Sequence, residues 1–154
     1  VHLRLPAALA ALALGLALAS AAVAVADDDP DASDADTVVE ITEATIDPES
    51  PDLVRVDLSY TCAPADGPRS LNTSVEQTDP EDPATIAFGS TRTFPAQIEC
   101  DGAEHSRTVV VQSKTSDWLT GVDAVVITTL TDLGAAPPAS ADAQQLVLDL
   151  PSDD

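Results

Sequence analysis

The sequence predicts an all-β domain, an immunoglobulin-like antiparallel sandwich of about seven to eight short strands closed by one disulfide. Three observations predict it. Val54, Val56, Leu58, Tyr60 and Cys62 alternate with Arg55, Asp57, Ser59 and Thr61, the period of a strand with one dry face and one wet face. Turn-forming clusters recur about every 8–12 residues, and no convincing long helical pattern separates them. The chain has two cysteines, Cys62 and Cys100.

The first 26 residues read as an export signal. His2 and Arg4 precede an uncharged run of Ala, Leu and Gly, and Ala24-Val25-Ala26 supplies small residues before Asp27. This is the layout of a secretory signal peptide with an A-x-A cleavage site, and a cut after Ala24 is nearly as good. The run approaches the length of a membrane anchor. Alanine-rich sequence is only mildly hydrophobic, so removal is expected rather than retention. Residues 27–36 read DDDPDASDAD, with six Asp in ten positions. Such a stretch buries nothing and is expected to be a disordered acidic leader. Its alternate carboxylates could wrap calcium, although the glycine that turns a calcium loop is missing.

The sandwich is expected over residues 37–150. Thr37 to Ile46 is the first strand, with Val39 and Ile41 on one face. Its register shifts at Glu43-Ala44, as a bulge would make it do. Asp47-Pro48-Glu49-Ser50-Pro51 is a turn. The strand ending at Cys62 follows, then a second turn at Ala63 to Pro68. Leu71, Thr73, Val75 and Gln77 line one face of a third strand. Asp79-Pro80-Glu81-Asp82-Pro83 is an acidic loop bracketed by prolines. Ile86 and Phe88 give a short strand that Gly89-Ser90 should close.

Phe94, Ala96, Ile98 and Cys100 alternate as another strand, with Pro95 implying an edge or a bulge. Asp101-Gly102 turns the chain. Thr108 to Gln112 follows, Val109 and Val111 inward. Trp118, the lone Trp, is expected as a core plate over the sulfurs. From Gly121 to Leu133, Val122, Ala124, Val126 and Leu130 share one face while Val125 and Ile127 share the other, which suggests a central strand. A buried helix has a similar profile, but the β-branched run favours strand. Leu146, Leu148 and Leu150 alternate in the last strand, and residues 151–154 are a frayed tail.

Charge narrows the partners. The chain carries 27 acidic residues against 6 basic ones, Lys114 the sole lysine, for a formal charge of −21. Nucleic acid and, after signal removal, anionic membranes are poor partners for such a surface, and self-repulsion favours a monomer at low salt. In an exported chain two cysteines most simply form one disulfide. Closing a loop of roughly 40 residues is worth about 4 kcal/mol in the chain-entropy model. No C-x-x-C spacing supports a metal or redox site instead.

The chemistry-bearing residues are sparse. Past the signal the one histidine is His105, and no Ser sits in a nucleophile-elbow context beside it. Phosphate loops, dinucleotide fingerprints and haem motifs are missing. Carboxylates abound, but few aromatics stand ready to stack on sugar. No cofactor and no catalytic activity are expected. Tyr60-Thr61-Cys62 is similar to a tyrosine corner but precedes the first cysteine rather than the second, and Trp118 follows both, so the topology can differ from a true immunoglobulin domain.

The layout resembles a family of small secreted actinobacterial proteins of unknown function. The resemblance rests on the signal peptide, Tyr60-Thr61-Cys62, the Cys-Asp-Gly-x-x-His run from Cys100 to His105, and a closing strand after the joint Ala143-Gln144-Gln145. It implies compartment and fold, with no activity to carry over. The function expected is an extracellular binding or structural module, its partner a secreted protein or a cell-wall component. Asp79, Glu81 and Asp82 are the candidate contact residues. The alternative is an inhibitor of secreted hydrolases, which would present that loop or Ala63 to Arg69 in a fixed conformation. A third reading is a calcium-dependent surface protein.

Overall fold

The computed structural model describes residues 37–64, 69–132 and 138–152. The expected signal peptide and acidic leader (1–26 and 27–36), most of the 63–68 turn and the last two tail residues lie outside them. The described residues form seven strands: β1 (Val38–Asp47), β2 (Ser50–Thr61), β3 (Arg69–Thr78), β4 (Ile86–Thr93), β5 (Glu104–Gln112), β6 (Val122–Asp132) and β7 (Ser140–Leu148). One sheet has the order β1-β2-β5 and the other β4-β3-β6-β7. Every pair of neighbours within a sheet is antiparallel. The architecture is the predicted β-sandwich with its one disulfide.

The alternation of the sequence sets which faces meet. On β2, Val54, Val56, Leu58 and Tyr60 point inward, and Cys62 follows just past the strand; all are at most 4% exposed. Leu71, Val75, Val109, Val111, Ala124, Val126 and Leu130 join them from other strands. Fully burying each Val or Leu contributes about 1.5–3 kcal/mol. The expected bulge on β1 lies at Thr42. Ile41 faces Leu58 and Glu43 faces Asp57, so one residue is left over and Ala44 and Ile46 return to the core side.

Polar residues inside the sandwich are bonded. Thr73 and Thr128 share a hydroxyl hydrogen bond of 3.0 Å. Gln77 donates to the carbonyls of Leu119 and Val122 and accepts from the Leu119 amide, fixing the β5–β6 connection to β3. Unpaired buried amides would cost stability, and among the described residues no buried side-chain polar atom lacks a partner.

The sandwich edges are sealed in two ways. Along β7, Ser140 and Asp142 accept hydrogen bonds from the Val39 and Ile41 amides of β1, and Gln144 donates to the Ile41 carbonyl. These side chains occupy groups that an open edge would offer to another chain. At the opposite edge β4 crosses β5 at Gly89. A Cβ there would lie 2.4 Å from the Gln112 carbonyl oxygen, so only glycine permits the approach.

Five expectations are corrected. Phe94 to Cys100 is not a strand. Pro95 has no N–H to donate, and Pro95–Gln97 forms a turn of 3₁₀ helix with Phe94 71% exposed. The segment carries the chain from one sheet to the other. Gly89-Ser90 does not end β4, which runs on to Thr93, and Ile86 and Phe88 face outward while Ala87 is buried. Trp118 is buried but does not cover the sulfurs. Its indole donates to the Asp52 carbonyl, at the opposite end of β2 from Cys62. Ala143 to Gln145 lies within β7 rather than ahead of it, and Leu150 lies beyond β7 and is exposed. Finally, β6 is central in hydrogen-bonding order, between β3 and β7, but its second apolar face is not covered: Val125 and Ile127 are exposed.

Candidate functional site

Two regions hold chemistry: the corner around the disulfide, and the outer face of the four-stranded sheet beside the β3–β4 loop.

At the corner, Cys62 and Cys100 are joined. Gly102 takes a positive φ of 85°, and its amide donates to the Cys62 carbonyl. Asp101 accepts from the Ala103 amide, and its Oδ1 lies 2.9 Å from His105 Nε2. The imidazole stacks on Tyr60, its partner across β2–β5, with ring centroids 5.5 Å apart. The Tyr60 hydroxyl accepts from the Glu99 amide. The Cys, Asp, Gly and His of the Cys-Asp-Gly-x-x-His run that carries the resemblance thus each have a folding role. His105, first, and then the Ala103 amide hold the Asp101 carboxyl below the ordinary aspartate value. The Nδ1 side of the ring faces Glu99 at 3.8 Å. The imidazole therefore sits between two acids, where a triad would place it between an acid and a nucleophile. The acids address opposite ring nitrogens, which is not the convergence a metal needs, and the described residues contain no metal-ligating group of three or more.

The predicted loop residues Asp79, Glu81 and Asp82 join β3 to β4. Asp79 Oδ1 accepts from the amides of Glu81 and Asp82, and Asp82 accepts from the Ala84 amide and the Thr85 hydroxyl. Both aspartates fold the loop on itself, and Asp79 and Thr85 close it by a backbone bond of 3.0 Å. Glu81 is exposed. Arg69, the basic residue nearest the other candidate loop, is held by Asp132 and Thr37 with its side chain only 12% exposed. It is not presented as a protease-binding arginine would be.

The outer face beside this loop carries features the strand-by-strand reading missed. Glu76 on β3 pairs across to Val125 on β6, which pairs across to Gln145 on β7; Asp123 faces Val147. Phe88, Val125, Ile127 and Val147 are all between 38% and 49% exposed. A shallow groove of about 540 Å³ lies where this face meets the loop. Val122, Val125, Pro80 and Pro83 supply apolar lining, and Glu76, Asp79 and Asp123 supply carboxylates. The available signal was the apolar outward set of β6 flanked at period two by acids, which became informative only once its neighbours were known.

No protein-family model matches the chain, nor does any curated protein.

Proposed function

We propose that this chain is an exported, disulfide-braced β-sandwich that acts by binding a secreted protein or a cell-wall component rather than by catalysis. The observation that carries the reading is the outward apolar set Phe88, Val125, Ile127 and Val147 on one sheet of a strongly acidic domain. Exposed apolar surface with a polar rim is the usual mark of an interaction site. Export is supported by residues 1–26 as a signal peptide and by the Cys62–Cys100 bond. Among the described residues no helix is long and apolar enough to cross a membrane.

The strand order supports an immunoglobulin-like relationship. β1, β2 and β5 hold the places of strands A, B and E, and β3, β6 and β7 those of C, F and G, while β4 lies beside β3. The resemblance to secreted actinobacterial proteins points to the same compartment. The test uses the oxidised chain as bait against the secreted and wall fractions of its producer, at low and high salt. A saturable partner supports the reading. Capture that never saturates and vanishes with salt overturns it.

One observation favours an inhibitor of secreted hydrolases: the self-bonded loop from Asp79 to Thr85, whose ordering cost is met before binding. Absence of inhibition of the producer's own proteases by micromolar protein would remove that reading.

A further inference from the structure

Resting on the binding role just proposed, we infer that the groove between the β3–β4 loop and β6 receives a cationic segment of an extracellular protein, extended and alternating basic with apolar residues.

The groove has two chemistries side by side. Val125 and the two loop prolines offer apolar contact, and Glu76, Asp79 and Asp123 offer negative charge. Among the described residues no Lys, Arg or His lines it. The basic side chains among the described residues are engaged elsewhere. Arg55 pairs with Asp47 and Arg69 with Asp132, and the His105 imidazole hydrogen-bonds Asp101. Arg92 donates to Ser70, Arg107 to the Gln97 carbonyl and Lys114 to Ser90. Among the described residues, none of the three groove carboxylates is in an ion pair. No described basic residue pairs with these carboxylates, which leaves them open to a cationic ligand.

The groove also discriminates among ligands. An anionic polymer is repelled, both locally and by the field of a chain at −21. A bare cation is disfavoured, since the described residues form no metal-ligating group. A small hydrophilic amine would leave Val125 uncovered. Along β6 the acid and the apolar residue, Asp123 and Val125, are two positions apart on one face, and Glu76 stands across from Val125. A strand-like ligand has the same period of two and places basic and apolar side chains in step with them. The carboxylates of Glu76 and Asp123 are exposed, so their attraction is screened by salt and the apolar contact must supply the remainder.

The experiment measures fluorescence anisotropy of the oxidised full chain with three short labelled peptides: alternating arginine and leucine, alternating arginine and serine, and alternating glutamate and leucine. The arginine–leucine peptide is expected to bind saturably, and the other two at least about tenfold more weakly. Glu76→Gln with Asp123→Asn, two exposed charges lost together, should weaken binding by about tenfold. Val125→Ser should also weaken it, whereas Glu40→Gln with Glu43→Gln, on the exposed side of β1, should leave it unchanged. All five positions are exposed, so the variants keep the fold, and unchanged melting confirms it. Equal binding of the arginine–serine peptide, an equal loss in the β1 variant, or no binding overturns the inference. A captured partner that survives Glu76→Gln with Asp123→Asn but is lost on substituting Val125 and Ile127 overturns it while leaving the binding role intact.

Discussion

His105 stacks on Tyr60 across the β2–β5 pair, and together they join the disulfide corner to the strand on which the core is built. Removing the ring by His105→Ala should cost about 1 kcal/mol of unfolding free energy, the scale of an aromatic pair. His105→Phe should restore much of the loss, because a phenyl ring can keep the stack on Tyr60. Denaturant titration of the three proteins checks this.

The Asp101 carboxyl has a folded pKa below its ordinary 3.8. A depressed carboxylate stabilises the fold above its unfolded pKa, and that stabilisation fades as pH falls through the folded value. Asp47, held down first by Arg55 and then by the Glu49 amide, acts in the same direction. Wild type should therefore lose stability on acidification below about pH 4, and Asp101→Asn with Asp47→Asn should flatten that part of the profile. Melting temperature measured across acid pH checks the sign.

The Cys62–Cys100 bond closes a span of 38 residues. Its removal by Cys62→Ala with Cys100→Ala should lower stability by about 4 kcal/mol, mostly through a freer unfolded chain. Comparing urea midpoints of the oxidised protein and the double variant measures the difference.

Gly89 is where β4 meets the backbone of β5. Gly89→Ala drives a methyl against the Gln112 carbonyl and the Val111 side chain. A loss of about 2–3 kcal/mol is expected, whereas Gly121→Ala meets no neighbour and suffers only from its positive φ. Thermal melts of the two variants separate a steric cost from a conformational one.

Which parts of this were legible beforehand follows from physics rather than chance. The alternation from Val54 to Cys62 and the bulge on β1 are local patterns; the alternation is found as read, and the bulge is present but at Thr42, ahead of the Glu43-Ala44 step where the apolar pattern shifts. The segment from Phe94 to Cys100 shows the limit. Alternation there coexisted with Pro95, and the lost amide together with the need to cross between sheets prevailed over the pattern. Trp118 is buried as its type predicts, but nothing local says which end of β2 it covers. Ser140, Asp142 and Gln144 occupy inward positions without being core residues, because the β1 edge needs partners there. The groove was least legible. Glu76, Asp123 and Val125 become neighbours only through strand pairing, while the charged Asp79 and Asp82 hold their own loop together.

The most direct test of the account is capture of secreted or wall-derived partners by wild type and by Val125→Asp with Ile127→Asp, both oxidised and compared at equal concentration. Both positions are more than 40% exposed, so the variant is expected to melt with wild type. The account predicts saturable capture by wild type and its loss in the variant. Equal capture by the two proteins, or none that saturates with wild type, would contradict it.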